Sequence, residues 1–169
     1  MSVQFNIDEI FEMAEQIERN GATFYHLASD VMPKDSQTCQ LLITLANVEL
    51  KHEQIFAKMR VDILDQEGMD SILDPEFDPE GLAGAYLRTM ANGHIFDLTK
   101  DPHEYFTGKE TAEAILRMAI EREKDSIVFY IGMKEAVAED FGKDRIDSII
   151  REEMSHIVYL NREIDKQIR

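Results

Sequence analysis

Residues 48–55 read VELKHEQI, and two of them, Glu49 and His52, stand where a helix should be apolar. Leu42, Leu45, Phe56 and Met59 recur around them at spacings that mark one buried helical face. A carboxylate and an imidazole inside such a stripe cost free energy unless something satisfies them. The arrangement returns 104 residues later: EEMSH (152–156) aligns with VELKH (48–52), matching Glu153 with Glu49 and His156 with His52. Upstream of each pair lies a second repeat, IERNGATFY (17–25) against REKDSIVFY (122–130), at an offset of 105 residues. It matches Glu18 with Glu123 and Tyr25 with Tyr130.

Working outward, four segments carry helical periodicity with end signals. The first begins at about residue 7, with Asn6 and Glu9 as a capping pair and Phe5 and Ile10 as a hydrophobic staple, and VMPKD ends it. Its stripe reads Ile7, Phe11, Ala14, Ile17, Glu18, Ala22, Tyr25. The second runs from about Ser36 to Gln66, with Gly68 as its stop. The third starts near Thr107, where Thr107 and Glu110 have capping-box spacing, and reaches about Asp140 before Gly142. The fourth starts near Asp144 and carries Ile146, Ile149, Glu153, His156, Leu160 and Ile164. The expectation is an all-α four-helix bundle: two antiparallel hairpins, about 7–66 and 107–168, joined by a crossover of about 67–106. Within that crossover EGLAGAYLRTMANG reads as a short helix, and ILDPEFDPEG is turn chemistry. The 169 residues, 44% hydrophobic, suit one domain with a sizeable core.

The formal charge of −16 would repel phosphate backbones and anionic lipid heads, so neither nucleic acid nor membrane is an expected partner. Cys39 is the only cysteine, which excludes an internal disulfide and any thiolate metal knuckle. The first residues, MSVQFNIDEIFEMAEQ, lack a basic stretch followed by an apolar core, and no apolar run is long enough to span a bilayer. A soluble, cytoplasmic protein is expected.

Residues three apart share a helix face, so Glu49 with His52, and Glu153 with His156, can each offer an oxygen and a nitrogen to one ion. Glu18 and Glu123 follow inward apolar residues by four and seven, and so also point inward. Four carboxylates and two imidazoles then meet at the centre. Two divalent cations would neutralise the four carboxylates, which explains why the stripe tolerates them. A single Glu-x-x-His on a helix is a weak signal. Two matched pairs, each with an inward Glu on its hairpin partner, make a strong one.

On these residues the chain resembles the rubrerythrin branch of the ferritin-like di-iron proteins, over residues 7–60 and 107–165. The resemblance rests on Glu18 with its FY, ELKH, Glu123 with its FY, and EEMSH. It implies two iron ions held by Glu18, Glu49, His52, Glu123, Glu153 and His156. The carboxylates that bridge are not assigned at this level, and manganese or zinc would accept much of the same set. Two features depart from that branch. The 169 residues carry no rubredoxin-like set of cysteines, so a separate molecule is expected as electron donor. The positions one turn from Glu123 are Ile120 and Ser126, where a further carboxylate is usual.

The resemblance implies an oxidoreductase that reduces hydrogen peroxide or O2, or oxidises Fe(II), with electrons from an external donor. The alternative is a protein that binds or stores iron without turnover, and a third reading gives the metals a purely structural role. An organic substrate stays open. Tyr25 and Tyr130 either fill space beside the site or hydrogen-bond a carboxylate. Glu15, Glu53, Glu121 and Glu152 lie close to these residues in sequence, but helical angle places most of them at the flank or outside. A homodimer is expected, partly from the resemblance and partly from Phe77, Leu82, Tyr86 and Leu87 of the crossover. Its acidic residues Asp70, Asp74, Glu76, Asp78 and Glu80 read as a solvated loop.

Overall fold

The computed structural model describes residues 7–67, 82–91, 104, 106–137 and 142–167. Every element among them is a helix: α1 Ile7–Asp30, α2 Gln37–Glu67, α3 Leu82–Ala91, α4 Ala112–Ala136 and α5 Lys143–Gln167. None of these is long and apolar enough to cross a membrane. The residues Phe5, Asn6, Gly68, Phe77, the acidic stretch 70–80 and Asp140 lie outside the described set.

Helix α2 begins where local chemistry dictates. The side chain of Ser36 accepts a hydrogen bond from the Cys39 amide at 3.0 Å and caps α2. α4 begins later than the Thr107 start expected from sequence. Thr107 and Glu110 do pair, with the Thr107 amide donating to Glu110 Oε1 at 2.7 Å and the Gly108 amide to Oε2 at 3.0 Å. They close a turn in which Gly108 has φ +78°, a conformation no right-handed helix contains. Thr111 caps the helix instead, accepting from the Ala114 amide at 3.1 Å. α4 also ends at Ala136 rather than near Asp140, because Val137 turns extended and buries its side chain in the core. Gly142, at φ +85°, opens α5 as its carbonyl accepts from the Arg145 and Ile146 amides.

Helices α1 and α2 form one hairpin, and α4 and α5 the other. Polar contacts fix their directions. In the first hairpin Arg19 reaches Glu53, and Arg60 forks onto Asp8 with Glu15 at 3.4 Å. In the second, Lys134 meets Asp147 at 2.9 Å. Between hairpins, Thr38 donates to Glu163 at 2.8 Å at one end of α2, and Arg145 stands 3.7 Å from Asp62 towards the other. α2 and α5 therefore run antiparallel, which makes all four lateral neighbours antiparallel, α1 and α4 included.

The short helix α3 is where the crossover was expected to hold one, and it packs against α4 and α1. Leu87 is fully buried, so of the residues expected to support dimerisation it is spent inside, while Leu82 and Tyr86 remain exposed. Close approach is permitted by Gly132, where a Cβ would stand 2.8 Å from Tyr86 Cε1. The core runs the length of the bundle, with Phe11, Phe56, Leu45, Leu116, Ile149 and Leu160 among its members. Its middle layer is not apolar.

Candidate metal centre

Glu18 on α1, Glu49 and His52 on α2, Glu123 on α4, and Glu153 and His156 on α5 are all brought to that middle layer. None is more than 4% exposed. They divide into two overlapping groups whose oxygens and nitrogens lie within 4.8 Å of one another: Glu18, Glu49, His52, Glu153, and Glu49, Glu123, Glu153, His156. Glu49 and Glu153 belong to both.

Helix geometry explains the division. Glu18 lies seven residues before Tyr25, and Tyr25 reaches across to Glu123, while Tyr130 reaches back to Glu18. On antiparallel α1 and α4 this staggers the backbone positions of the two outer Glu residues by about 10 Å along the helix axis at 1.5 Å per residue. Each outer Glu thus sits beside one histidine. The two Glu residues of α2 and α5 lie nearly level, between the histidines, whose rings stack with centroids 6.0 Å apart.

The ring nitrogens that face the centre are both Nδ1. His52 Nδ1 is 2.8 Å from Glu153 Oε1 and 3.5 Å from Glu18 Oε2. His156 Nδ1 is 2.9 Å from Glu153 Oε2 and 3.4 Å from both Glu49 Oε1 and Glu123 Oε1. Proximity here does not amount to hydrogen bonding. Glu18 Oε2, Glu49 Oε1, both oxygens of Glu153 and both Nδ1 atoms are buried without a hydrogen-bond partner among the described residues. Polar atoms so placed converge on common points and fit metal ions, which take lone pairs that no protein donor meets.

Electrostatics of the metal-free side chains leads to the same point. Burial raises the Glu18 and Glu49 carboxyls, helped by the charge of Glu153, and pushes Glu123 up to about 8 for the same two reasons. Glu153 is different: burial works to raise it, but the two imidazoles hold it well below the ordinary carboxylate range. Burial likewise opposes charge on the histidines, yet their carboxylate neighbours bring His52 up to about 11 and His156 to about 10. Both phenols are pushed upward by burial and by the adjacent carboxylates, so each keeps its proton and donates it.

Tyr25 and Tyr130 thus both fill core space and bond a carboxylate, and each serves the carboxylate of the other hairpin. Three flanking acids are engaged at the surface: Glu15 with Arg60, Glu53 with Arg19, and Glu121 with Lys124. The fourth is not so remote. Glu152 Oε2 stands 3.2 Å from His52 Nε2, a contact that the sequence reading missed. Its signal was available in the repeat, where Val48 occupies the matching position.

No protein-family model and no curated protein matches the chain. Among solved structures, a Thermotoga maritima crystal structure described as a "putative ferritin-like diiron-carboxylate protein" aligns with a TM-score of 0.71. The two share 24% sequence identity, with 97% of each chain covered. That likeness shows the fold, a ferritin-like helical bundle.

Proposed function

We propose that the chain is a di-iron carboxylate oxidoreductase that reduces hydrogen peroxide or O2, or oxidises Fe(II), with electrons from a separate donor. The observation that carries this reading is the pair of overlapping Glu and His sets with their unpartnered, inward atoms. A description of the Thermotoga protein as ferritin-like and diiron-carboxylate agrees with it.

In this reading Glu18 with His52 would hold one ion, Glu123 with His156 the other, and Glu49 and Glu153, which belong to both groups, would serve each. When bound, two ferrous ions supply the pair of electrons that converts peroxide, with two protons, into two waters. The remaining work belongs to the side chains. Tyr130 and Tyr25 each fix one outer carboxylate by a donated hydrogen bond, which leaves Glu18 Oε2 free to face the centre. Phe11, Phe56 and Ala119 close the layers next to the site and keep bulk water from the carboxylates.

The test is anaerobic Fe(II) loading, desalting and metal analysis of the native chain and the Glu49→Ala, Glu153→Ala double variant, followed by peroxide with and without a reductant. About two irons per chain are expected, lost in the double variant, with repeated peroxide consumption when reductant is present. Near-zero iron in the native chain overturns the reading. Two irons that oxidise once and do not cycle would make this a storage protein. Competition with Mn(II) and Zn(II) tests the choice of iron.

A further inference from the structure

We infer that Glu152 makes the two metal positions unequal, so that the one built on His52 takes the first ion. This rests on the metal reading above. The central ligands repeat between hairpins, but the residue before each Glu-x-x-His does not: it is Val48 in one and Glu152 in the other. A residue one before an inward Glu lies about 100° round the helix, given 3.6 residues per turn, on the flank facing a neighbouring helix. For α5 that neighbour is α2. The Glu152 side chain is 55% exposed, yet Oε2 comes within 3.2 Å of His52 Nε2.

The orientation of the ring assigns the proton. With an ion on Nδ1 of His52, which faces Glu18 and Glu153, the one remaining ring hydrogen is on Nε2 and donates to Glu152. Among the described residues no side chain hydrogen-bonds Nε2 of His156, and the position matching Glu152 offers only the isopropyl group of Val48. A histidine that donates to a carboxylate has its tautomer and ring angle fixed and is a stronger ligand. Loss of such a partner typically weakens metal binding about 10–100-fold. Glu152 is therefore a positioning residue that acts through His52. Its negative charge also favours a cation at the nearer position.

Co(II) is the probe, titrated into the native chain, Glu152→Gln and Val48→Glu, read by ligand-field absorption and calorimetry. At one equivalent, paramagnetic shifts of the two histidine rings report which position is filled. In the native chain the first equivalent should shift His52. Glu152→Gln should weaken the tighter step by about tenfold or more, leave the weaker step unchanged and spread the first equivalent over both histidines. Val48→Glu should tighten the weaker step. The inference is overturned if Glu152→Gln leaves both steps as they were, weakens both alike, or if the first ion shifts His156 in the native chain. A native chain that takes up no Co(II) at all would overturn the metal reading itself, a result distinct from any of these.

Discussion

The α1–α2 and α4–α5 hairpins carry matching residues at their centres and unlike residues at their margins. Glu18, Glu49, His52 and Tyr25 have counterparts in Glu123, Glu153, His156 and Tyr130. Away from them the correspondence lapses. Arg60, which forks onto Asp8 and reaches Glu15 to fasten the first hairpin, matches Ile164, which is buried in the core. Val48 matches Glu152. A buried carboxylate is tolerable only where groups from several helices compensate it together, so neither hairpin can change its central residues alone. A margin has only to be closed, and an ionic fork or an isoleucine closes it.

The sharpest way to break this comparison is to remove a shared carboxylate and an unshared one. Glu153→Ala should lose both ions, whereas Glu18→Ala should lose one of about two, as measured by elemental analysis with helicity checked by circular dichroism. Equal losses would mean that Glu153 is not shared. The margins give the next largest effect. Ile164→Ala should cost roughly 2–5 kcal/mol of unfolding free energy at any salt concentration. Arg60→Met should cost only about 1 kcal/mol, and less in high salt, because its guanidinium is partly exposed.

The tyrosines sharpen the central match. Tyr25→Phe and Tyr130→Phe should each cost about 1–2 kcal/mol by chemical denaturation, and by similar amounts, since each breaks one buried bond between hairpins. Unequal costs would reveal an asymmetry at the outer carboxylates as well. The smallest effect concerns Glu163, which accepts from Thr38 and Lys166 where α2 and α5 meet. Burial tends to raise its carboxyl, but those donors keep it below its ordinary value. Its stabilisation, about 1 kcal/mol, is thus present at neutral pH and lost as pH falls below about 4. Thermal melts of Glu163→Gln and native protein should differ at pH 7 and converge at pH 3.

The bundle and the six central residues were legible because both are repeated patterns carried on single helices. Which partner each residue meets was not. Tyr25 stands on the same helix face as Glu18, but its hydroxyl finds Glu123, a choice that depends on α1 and α4 running antiparallel. The sharing of Glu49 and Glu153 follows from the same stagger. Glu152 read as a flanking acid because a helical angle is measured against its own stripe, and says nothing of the helix beyond it. At Thr107 the capping spacing was real but closed a turn, since Gly108 adopts a backbone angle that the letters alone leave open.

The near-total burial of all six central residues also bears on time. An ion held by side chains on four helices would leave only when those helices part, so its residence would be set by breathing of the bundle as much as by bond strength. Amide hydrogen exchange around Glu49 and Glu153 and the off-rate of the ion should then slow together, as two clocks driven by one motion.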